Sequence, residues 1–433
     1  MSTAPNETPT FLPDHDLPLR GIKVLELSHM IMGPAGGLVL ADLGAEVIKV
    51  EPLDGDRTRR LKGSGIGYFP VFSRNKQSLA VDLKSPEGQA LVRQLALGCD
   101  MLVENFRDDS LTQYGLDYAS LSAENPGLIY VSLKGFLSGP YKQRTALDEV
   151  VQMMGGMAYI NGGTGAPQRV APSVNDILGG TFGVVGALAA LHDRQRTGRG
   201  RHVRAGLFEN NLLLVAQFIA QYQLTGTPPI PMGDKRTPPW GVYDIFDTQD
   251  GRVFVAVVSD ANWQTFCRDF LPEGWATDER LRTAVQREAA RPWLVPEVAA
   301  ILKHWKTADL CAALEASGLS YGPIRQPHEL LDDPHLNAGG ALIPTTMPDG
   351  QQVAAAALPI EFDGQKVGKR LDPQPIGAQT HDILRGLGLD DARIAQLVDQ
   401  GIVAVSLRRG APSGAFTRRK KNEPSKKDRR LLT

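Results

Sequence analysis

Residues 21–51 read GIKVLELSHMIMGPAGGLVLADLGAEVIKVE and predict a strand, a helix and a second strand in succession. The strands are Ile22–Leu27 and Glu46–Glu51, where apolar residues dominate. Between them, Ala35–Leu43 predicts a helix that ends at Gly44, because glycine readily adopts the left-handed conformation that closes helices. Two strands joined by a helix within about 30 residues form a βαβ unit, so the sequence predicts parallel pairing.

The same alternation of strands and helices continues beyond this unit. Further strands are predicted at Ser78–Leu83, Met101–Glu104 and Leu128–Leu133. A helix opens at Ser85, a residue type that caps helix N-termini well, and Pro86 suits the first helical turn. Several strands separated by helices indicate the α/β class with a doubly wound parallel sheet.

The chain changes character after Thr225. A proline-rich segment, Thr227–Pro231, precedes the strands Val242–Phe246 and Val253–Val258, which flank the turn residues Asp250-Gly251 and predict a β-hairpin. A second, smaller domain of the α+β class is therefore expected. The expected organisation is a loose N-terminal arm (1–17), the first part of a large domain (18–225), the small domain (226–330), a return to the large domain (331–407) and a basic disordered tail (408–433).

The composition is that of a folded protein without a nucleic-acid partner. Of 433 residues, 42% are hydrophobic, which is enough for a large buried core. The formal net charge is −1, and because residues 408–433 hold ten Lys/Arg against two Asp/Glu, the rest of the chain is acidic. An acidic body does not favour contact with nucleic-acid phosphates.

Cysteine usage and hydropathy favour a cytoplasmic location. The three cysteines, Cys99, Cys267 and Cys311, are far apart and form no CxxC pair, which is typical of a reducing compartment. The longest apolar stretch, Ile177–Leu191, has 15 residues, fewer than the roughly 20 that a spanning helix needs. Residues 1–20 lack the cationic start and apolar core of a signal peptide, so no membrane association is expected.

Several familiar catalytic patterns are absent from the sequence. It contains no GxGxxG after the first strand, no P-loop, no GxSxG elbow and no HExxH. The eight histidines are scattered without metal-ligand spacing, and we expect no metal site.

The most informative polar residue is Asp176, which precedes an apolar helix. Aspartate is a preferred N-cap, and its carboxylate would face unpaired backbone N–H groups and the positive end of the helix dipole. Such surroundings keep a carboxylate ionised and hold it in one orientation. A nucleophilic carboxylate needs the same two properties, so spacing alone leaves the roles of helix cap and nucleophile both open.

Longer runs of the sequence, taken together, resemble one protein family. They are Gly21–Glu26, Gly33-Pro34, Ala41–Glu51, Asn75–Ser78, Asp82–Lys84, Glu104–Arg107, Ser132–Gly135, Asp148 with Gly155-Gly156, Asn175–Gly180, Arg194–Gly200, Gly322-Pro323 and Pro375–Gly377. In this order, over about residues 18–404, they resemble the class III CoA-transferases, the formyl-CoA transferase and CaiB/BaiF group.

This resemblance implies a fold, a reaction and a set of site residues. Its members are interlocked homodimers that bind CoA on a large Rossmann-like domain, and their catalytic aspartate matches Asp176. They move CoA from an acyl-CoA to a carboxylic acid through an aspartyl anhydride and an aspartyl-CoA thioester, with CoA as substrate and no prosthetic group. The positions that match the family's CoA contacts are Ile31, Met32, Val81, Asp82, Leu83, Lys84, Asn105, Phe106, Arg107 and the region of Arg144.

The sequence departs from the family where formyl-CoA transferase holds the CoA nucleotide. Pro52 and Gln113 stand at the positions of arginines, and Thr145 stands at the position of a lysine. Other cations must then meet the CoA phosphates. The candidates are Arg74, Lys84, Arg107 and Arg144.

The loop that matches the active-site loop of formyl-CoA transferase, Met232–Gly241, lacks the glycines of that family member. The difference argues against oxalate and formyl-CoA as substrates. Lys235 and Arg236 in this loop would suit a dicarboxylate such as succinate, and ordinary solvated loop charges are the alternative interpretation.

Two other functions stay open at this point. The related α-methylacyl-CoA racemases carry a histidine immediately before the acidic residue that matches Asp148. Here that position is Leu147, which cannot transfer a proton, so CoA transfer is favoured over racemisation. A non-catalytic CoA-binding protein is the third interpretation, and the presence of Asp176 argues against it.

Overall fold

The computed structural model describes residues 10–163, 165–232 and 239–406. The loop residues Lys235 and Arg236 and the predicted basic tail (408–433) lie outside the described residues. Up to residue 225 the elements are β1 (Lys23–Leu27), α1 (Met32–Asp42), β2 (Glu46–Glu51), α2 (Tyr68–Phe72), β3 (Lys76–Val81), α3 (Pro86–Leu97), β4 (Met101–Glu104), α4 (Tyr118–Ser122), β5 (Ile129–Lys134), α5 (Asp148–Met154), α6 (Met157–Asn161), α7 (Val174–Thr197), β6 (His202–Gly206) and α8 (Leu207–Thr225).

The later part of the chain begins with an antiparallel sheet and ends with short helices. Its elements are β7 (Val242–Asp247), β8 (Arg252–Val257), α9 (Asp260–Phe270), α10 (Ala284–Leu302), α11 (Thr307–Ala316), β9 (Ser320–Pro323), α12 (Pro334–Ala338), β10 (Leu342–Thr346), β11 (Gln352–Ala356), β12 (Glu361–Phe362), β13 (Gln365–Lys366), α13 (Thr380–Gly386), α14 (Asp391–Asp399) and β14 (Val403–Ala404). The predicted hairpin is confirmed, because β7 and β8 pair in antiparallel fashion, and β9 adds a third strand.

The large sheet has the strand order β14-β3-β2-β1-β4-β5-β6. Strands β1 to β6 pair in parallel, with Val24 opposite both Val47 of β2 and Met101 of β4, and β14 pairs antiparallel to β3. The predicted parallel sheet is therefore confirmed. The order reverses direction between β1 and β4, and at such a reversal the connections leave the sheet on opposite faces and open a crevice beyond the carboxyl ends of the strands.

Alternating side chains of the strands build one core on each face of the sheet. Val24 and Leu25 in β1 are both fully buried, but they belong to opposite cores because successive strand residues point to opposite faces. One core includes Leu40 of α1 and Val184 of α7, and the other includes Val92 of α3. Burial on both faces explains why these strands read as nearly continuous apolar runs.

Helices α1 and α7 pack backbone against backbone through glycines. A Cβ added at Gly180 would lie 2.4 Å from the carbonyl oxygen of Met32 and 2.9 Å from the amide nitrogen of Gly36. A Cβ added at Gly36 would in turn lie 3.2 Å from the carbonyl oxygen of Gly180. Two helices can approach this closely only where neither carries a side chain at the crossing, so glycine is required at both positions.

Helix α7 is long and apolar enough to cross a membrane on length and composition alone. It packs against α1, β5 and β6, with Gly183, Val184 and Ala187 buried. One face of the helix thus has the position of a core helix in an α/β fold, while Phe182 and Val185 on its other side are exposed.

The structure differs from the sequence expectations at several boundaries. Helix α1 begins at Met32 rather than Ala35, directly after Met30 turns the chain with a φ of 62°. Strand β3 begins at Lys76, two positions before the predicted start, because Asn75 supplies the preceding turn with a φ of 60°. Positive-φ residues other than glycine are uncommon, so neither turn stood out in the sequence.

Residues 10–17 differ from the expected loose arm. The amide of Leu12 donates to the carbonyl of Lys366 at 2.8 Å, and the amide of Lys366 donates to the carbonyl of Thr10 at 3.0 Å. Leu17 is 5% exposed and belongs to the core that includes α1. This part of the segment is held because it pairs with a strand and contributes a core side chain.

The glycine contact between α1 and α7 predicts a specific loss of stability. Gly180→Ala should lower the free energy of unfolding by about 1–3 kcal/mol, because the new methyl group overlaps backbone atoms that cannot rotate away. Gly386→Ala is the matched control, since a Cβ there meets no atom within 4 Å and alanine favours the helix. Urea denaturation of both variants measures the difference, and equal effects would contradict the close contact.

Candidate active site

The N-terminus of α7 is capped by a side chain from another helix. Ser173 precedes the helix, but its side chain forms no capping hydrogen bond. Instead, Oδ2 of Asp148, at the start of α5, accepts hydrogen bonds from the backbone N–H groups of Asn175 at 2.7 Å and Asp176 at 3.1 Å. The interpretation of Asp176 as the N-cap is therefore wrong, because the helix begins at Val174 and Asp148 provides the cap.

The carboxylate of Asp148 is itself held by a hydrogen bond from Gln152. The side-chain amide of Gln152 donates to Oδ1 of Asp148 and also to the carbonyl of Val170 at 3.3 Å. The amide of Val170 donates back to the Gln152 carbonyl oxygen at 2.8 Å. Asp148 is 2% exposed and Gln152 is fully buried, so this arrangement is isolated from water and rigid.

Three asparagines join the same helix start to α5 and α8. Asn210 donates to the backbone carbonyl of Asn175 at 3.3 Å, and Asn175 donates to the side-chain oxygen of Asn211 at 3.4 Å. Asn211 donates to the carbonyl of Gly155 at 2.8 Å. The first turn of α7 is thus fixed from two sides, which fixes the backbone of Asp176 as well.

The side chain of Asp176 is half-buried and accepts no hydrogen bond within the described parts of the chain. Burial, followed by the negative charges of Asp148 and Glu149, raises the pKa of Asp176 to about 7. The helix start was expected to favour the ionised carboxylate, whereas burial and the neighbouring charges raise its pKa and oppose ionisation. The backbone N–H groups that would have stabilised the charge are already bound to Asp148.

Asp176 belongs to the face of α7 that packs against α1. Asp176 and Gly180 are four residues apart and share one face of the helix, and Gly180 touches the backbone of Met32. A Cβ at Gly179 would likewise meet the Met32 side chain at 2.5 Å. Because α1 starts at the carboxyl end of β1, Asp176 lies beside the crevice edge of the sheet.

A cavity of about 790 Å³ opens at the carboxyl ends of β1, β2, β3 and β4. Its position at the reversal of strand order is where ligands bind in open α/β sheets. Of the predicted CoA contacts, the cavity is lined by Val81, Asp82, Leu83, Lys84 and Phe106. Pro52 and Gln113, which replace the arginines of formyl-CoA transferase, also line it.

The turn between β1 and α1 connects the cavity to the Asp176 region. The side chain of Asn105 forms two hydrogen bonds with the backbone of His29 in this turn. It accepts from the His29 amide at 3.0 Å and donates to the His29 carbonyl at 2.8 Å. Ile31 and Met32 follow, and their side chains are buried at 3% and 4% exposure. Of these two residues, only the backbone is therefore suited to contact a ligand.

Arg74 is not available to a ligand, which corrects its place among the candidate phosphate-binding cations. Its side chain is fully buried, and Nη2 donates to Oδ2 of Asp42 at 2.6 Å. Asn75 donates to the other oxygen of the same carboxylate at 2.8 Å. The pair connects α1 to the turn before β3 and has a structural role.

Arg107 and Arg144 meet away from the cavity wall. Arg107 donates to the hydroxyl of Thr145 at 3.1 Å, and the guanidinium of the adjacent Arg144 lies 5.0 Å from the ring centroid of Tyr141. Both arginines are exposed. They form a basic surface at the position where the family lysine is replaced by Thr145.

Sequence reasoning missed Arg57, which lines the cavity and is exposed. It belongs to the run Arg57-Thr58-Arg59-Arg60, shortly after β2. Arg59 pairs with buried Glu51 at 2.6 Å and Arg60 pairs with Asp54 at 2.9 Å, whereas Arg57 forms no ion pair within residues 10–163, 165–232 and 239–406. The signal was a basic run at the carboxyl end of a parallel strand.

Buried charges form the floor of this region. Glu26 of β1 pairs with Lys49 of β2 at 3.2 Å and with Lys76 of β3 at 2.6 Å, and Lys49 also pairs with Asp56 at 3.0 Å. Burial lowers the pKa of Lys76 to about 8, although the charge of Glu26 opposes the change. The network links β1, β2 and β3 through buried side chains.

In the part of the chain that the structure describes, no group of three or more His, Cys, Asp or Glu side chains is arranged to hold a metal ion.

Comparison with known proteins agrees with this geometry. The family described as CoA-transferase family III matches residues 19–380. A succinate–glutarate CoA-transferase of Agrobacterium fabrum is 35% identical over 364 residues, which cover 81% of this chain and 91% of that protein. A succinyl-CoA–D-citramalate CoA-transferase of Chloroflexus aurantiacus is 35% identical over 391 residues, covering 88% of this chain and 97% of that protein.

A solved structure of a CaiB/BaiF family protein from Brucella suis has the same fold. It superposes with a TM-score of 0.76 at 34% identity, covering 86% of this chain and 99% of that chain. The fold and these relatives define an enzyme that transfers CoA between carboxylic acids. The chain belongs to CoA-transferase family III.

The raised pKa of Asp176 predicts that ionisation of this carboxyl group lowers the free energy of unfolding. The fold favours the protonated carboxyl, so wild-type stability should fall as the pH rises from about 4, where an unfolded aspartate ionises, to about 7. Asp176→Asn removes the ionisation. Its advantage in free energy of unfolding should be about 2 kcal/mol larger at pH 8 than at pH 5, measured by urea denaturation, and a difference independent of pH would contradict the assignment.

Proposed function

We propose that this enzyme transfers CoA from an acyl-CoA to a dicarboxylic acid, with Asp176 as the covalent nucleophile. The observation that carries the proposal is one half-buried carboxyl group that accepts no hydrogen bond from the described residues, at a rigid helix start beside the crevice of the sheet. The absence of stabilising donors leaves its ionised form reactive, as a nucleophile requires.

The reaction proceeds through two kinds of covalent adduct on Asp176. Its carboxylate attacks the thioester carbonyl of the acyl-CoA, which gives a mixed anhydride and CoA thiolate. The thiolate attacks the aspartyl carbonyl and releases the first acid, leaving an aspartyl-CoA thioester. The incoming carboxylate attacks that thioester, and the thiolate returns to the new acyl group and regenerates Asp176. One thioester replaces another, so the energy of the bond is conserved.

The oxyanions formed in these steps need hydrogen-bond donors, and α1 is better placed to supply them than α7. The first N–H groups of Asn175 and Asp176 are bound to Asp148. Helix α1 begins after Ile31 without a side-chain cap, and we propose that its first N–H groups, those of Met32 and Gly33, serve as these donors. A donor of this kind contributes about 3 kcal/mol to transition-state stabilisation in known oxyanion holes.

The CoA moiety fits the path from the cavity to Asp176. The nucleotide occupies the cavity of about 790 Å³, where Arg57 and Lys84 supply positive charge for its phosphates. The pantetheine arm passes the turn held by Asn105 and brings the thioester to the start of α1. Arg107 and Arg144, which do not line the cavity, form a further exposed basic surface.

The dicarboxylate class of substrate rests on the relatives. Their names specify succinate, glutarate and citramalate as the acids or acyl groups that those enzymes use. An acid with a second carboxylate needs a cation near Asp176, and Arg169, whose guanidinium pairs with Glu149, is the described arginine beside α5. Lys235 and Arg236, the predicted contacts, lie outside the described residues.

A homodimer completes the proposal. Helices α7 and α8 expose large apolar side chains, among them Phe182 at 43%, Val185 at 55%, Leu212 at 49% and Leu213 at 59%. Such faces are unusual on a monomer and suit a second copy of the chain.

We also propose the two-domain organisation and the cytoplasmic location expected from the sequence.

The first test asks whether Asp176 carries the reaction. Asp176→Ala should abolish CoA exchange between succinyl-CoA and a panel of mono- and dicarboxylic acids, at least about 10³-fold, while CoA still binds. Wild-type enzyme incubated with succinyl-CoA and hydroxylamine should yield a peptide with a hydroxamate at Asp176 by mass spectrometry. Unlabelled Asp176 in a fully active enzyme would refute the mechanism, and α-carbon deuterium exchange without CoA transfer would indicate a racemase.

The second test concerns the cations of the cavity. Arg57→Gln and Lys84→Gln should each raise the KM for acyl-CoA about tenfold with little change in kcat, because a charge-assisted contact to a phosphate is lost. Arg60→Gln is the matched control, since Arg60 belongs to the same basic run but pairs with Asp54. Steady-state kinetics separates the two outcomes, and an equal KM for all three variants would exclude the cavity as the phosphate site.

A further inference from the structure

Asp148 is the polar group in closest structural contact with the helix turn that carries Asp176. One of its oxygens binds two consecutive backbone N–H groups of α7, including that of Asp176 itself, and the other is bound by Gln152. A carboxylate at a helix start ordinarily comes from the residue before the helix. Here it comes from α5, so the orientation of α5 and the position of Asp176 are coupled.

We propose that Asp148 is a positioning residue that holds Asp176 in place and sets its protonation state during CoA transfer. It does so through the two N–H groups that it binds and through the negative charge that it places beside the reacting carboxyl group. This inference rests on the proposed role of Asp176 as the nucleophile.

The positioning role of Asp148 follows from the number of buried hydrogen bonds that hold it and the start of α7. Asp148 contacts two successive amides of α7, and Gln152 is held at both ends by Asp148 and by the backbone of Val170. Neither side chain is exposed by more than 2%. A displacement of Asp176 would have to break buried hydrogen bonds with no water to replace them, which is costly.

The electrostatic part follows from the charges around Asp176. Helix α5 contributes Asp148 and Glu149, of which Asp148 has the larger effect, and Arg169 pairs with Glu149 and offsets it. The first turn of α1 contains no charged residue, and α8 contacts the helix start through the amides of Asn210 and Asn211. Among these described groups, Asp148 is therefore the unneutralised charge that faces Asp176.

This arrangement suits a carboxylate that must both attack and leave. A more basic carboxylate is a stronger nucleophile toward a thioester, and a value near the working pH still leaves a large ionised fraction. Asp148 also takes the two α7 donors that would otherwise stabilise the resting anion. The donors of α1 are then the ones that meet the charge as it develops on the reacting carbonyl.

The test is the pH dependence of kcat/KM in the intact enzyme. The wild-type profile should rise with pH through a midpoint near 7, because ionised Asp176 is the active form. Asp148→Asn keeps an acceptor for the two amides and removes the charge, so the midpoint should fall to about 6 or below. Glu149→Gln is the matched control at the neighbouring position, and its midpoint should stay within a few tenths of the wild-type value.

A second variant keeps the proposal testable if Asp148→Asn does not fold. Gln152→Met leaves the charge of Asp148 but removes the donor that offsets it, so the midpoint should rise above the wild-type value. A purely structural role for Asp148 would lower the melting temperature and the maximal rate but leave every midpoint unchanged, which would overturn the inference. Activity that survives in Asp176→Ala would instead refute the proposed nucleophile, so the two failures are distinguishable.

Discussion

The structure depends on the close contact between the backbones of α1 and α7. Gly36 and Gly180 let the two helices touch without side chains between them, and this contact places the first turn of α7 beside the start of α1. Helix α1 begins where β1 ends, at the reversal of the strand order, so the contact also places Asp176 at the crevice of the sheet. The need for glycine where α1 crosses α7 therefore helps to determine the position of Asp176. Substitution is thus restricted at Gly36 and Gly180, although both glycines lie in the helix crossing rather than in the cavity.

The electrostatics of the site oppose folding and favour reactivity. Two carboxyl groups, Asp148 and Asp176, lie close together, and the backbone donors of α7 serve the first of them. The second is left with a pKa of about 7. In many enzymes the active-site groups lower the stability of the fold because their arrangement serves the reaction. The buried ion pairs of Glu26 with Lys49 and Lys76 differ in kind, because each charge there has a partner, and they link three neighbouring strands of the sheet.

Much of the fold was accessible from local sequence patterns, and much of the site was not. The unit β1–α1–β2 and the β7–β8 hairpin follow from periodicity and turn residues, which act over a few positions. The role of Asp148 was hidden because its partners in α7 lie across the fold. Arg74 was assigned to the ligand although its charge is buried against Asp42, a partner at the end of α1 that no spacing rule reveals. Several of the positions that resemblance to the family predicted as CoA contacts line one cavity, and Arg57 could have been found as part of a basic run after a parallel strand.

The position of β14 has a consequence for how the chain is made. Val403 pairs with Val81 and Ala404 pairs with Ala80 at the outer edge of the large sheet, so this part of the β3 edge stays uncovered until residues 403 and 404 have left the ribosome. An exposed strand edge in a half-made protein invites pairing with other nascent chains. Closure over so long a sequence separation is also slow. Synthesis of this enzyme in a foreign host should therefore benefit from chaperones that act on incomplete chains, and shortening the chain before Val403 should yield aggregates rather than a smaller active enzyme.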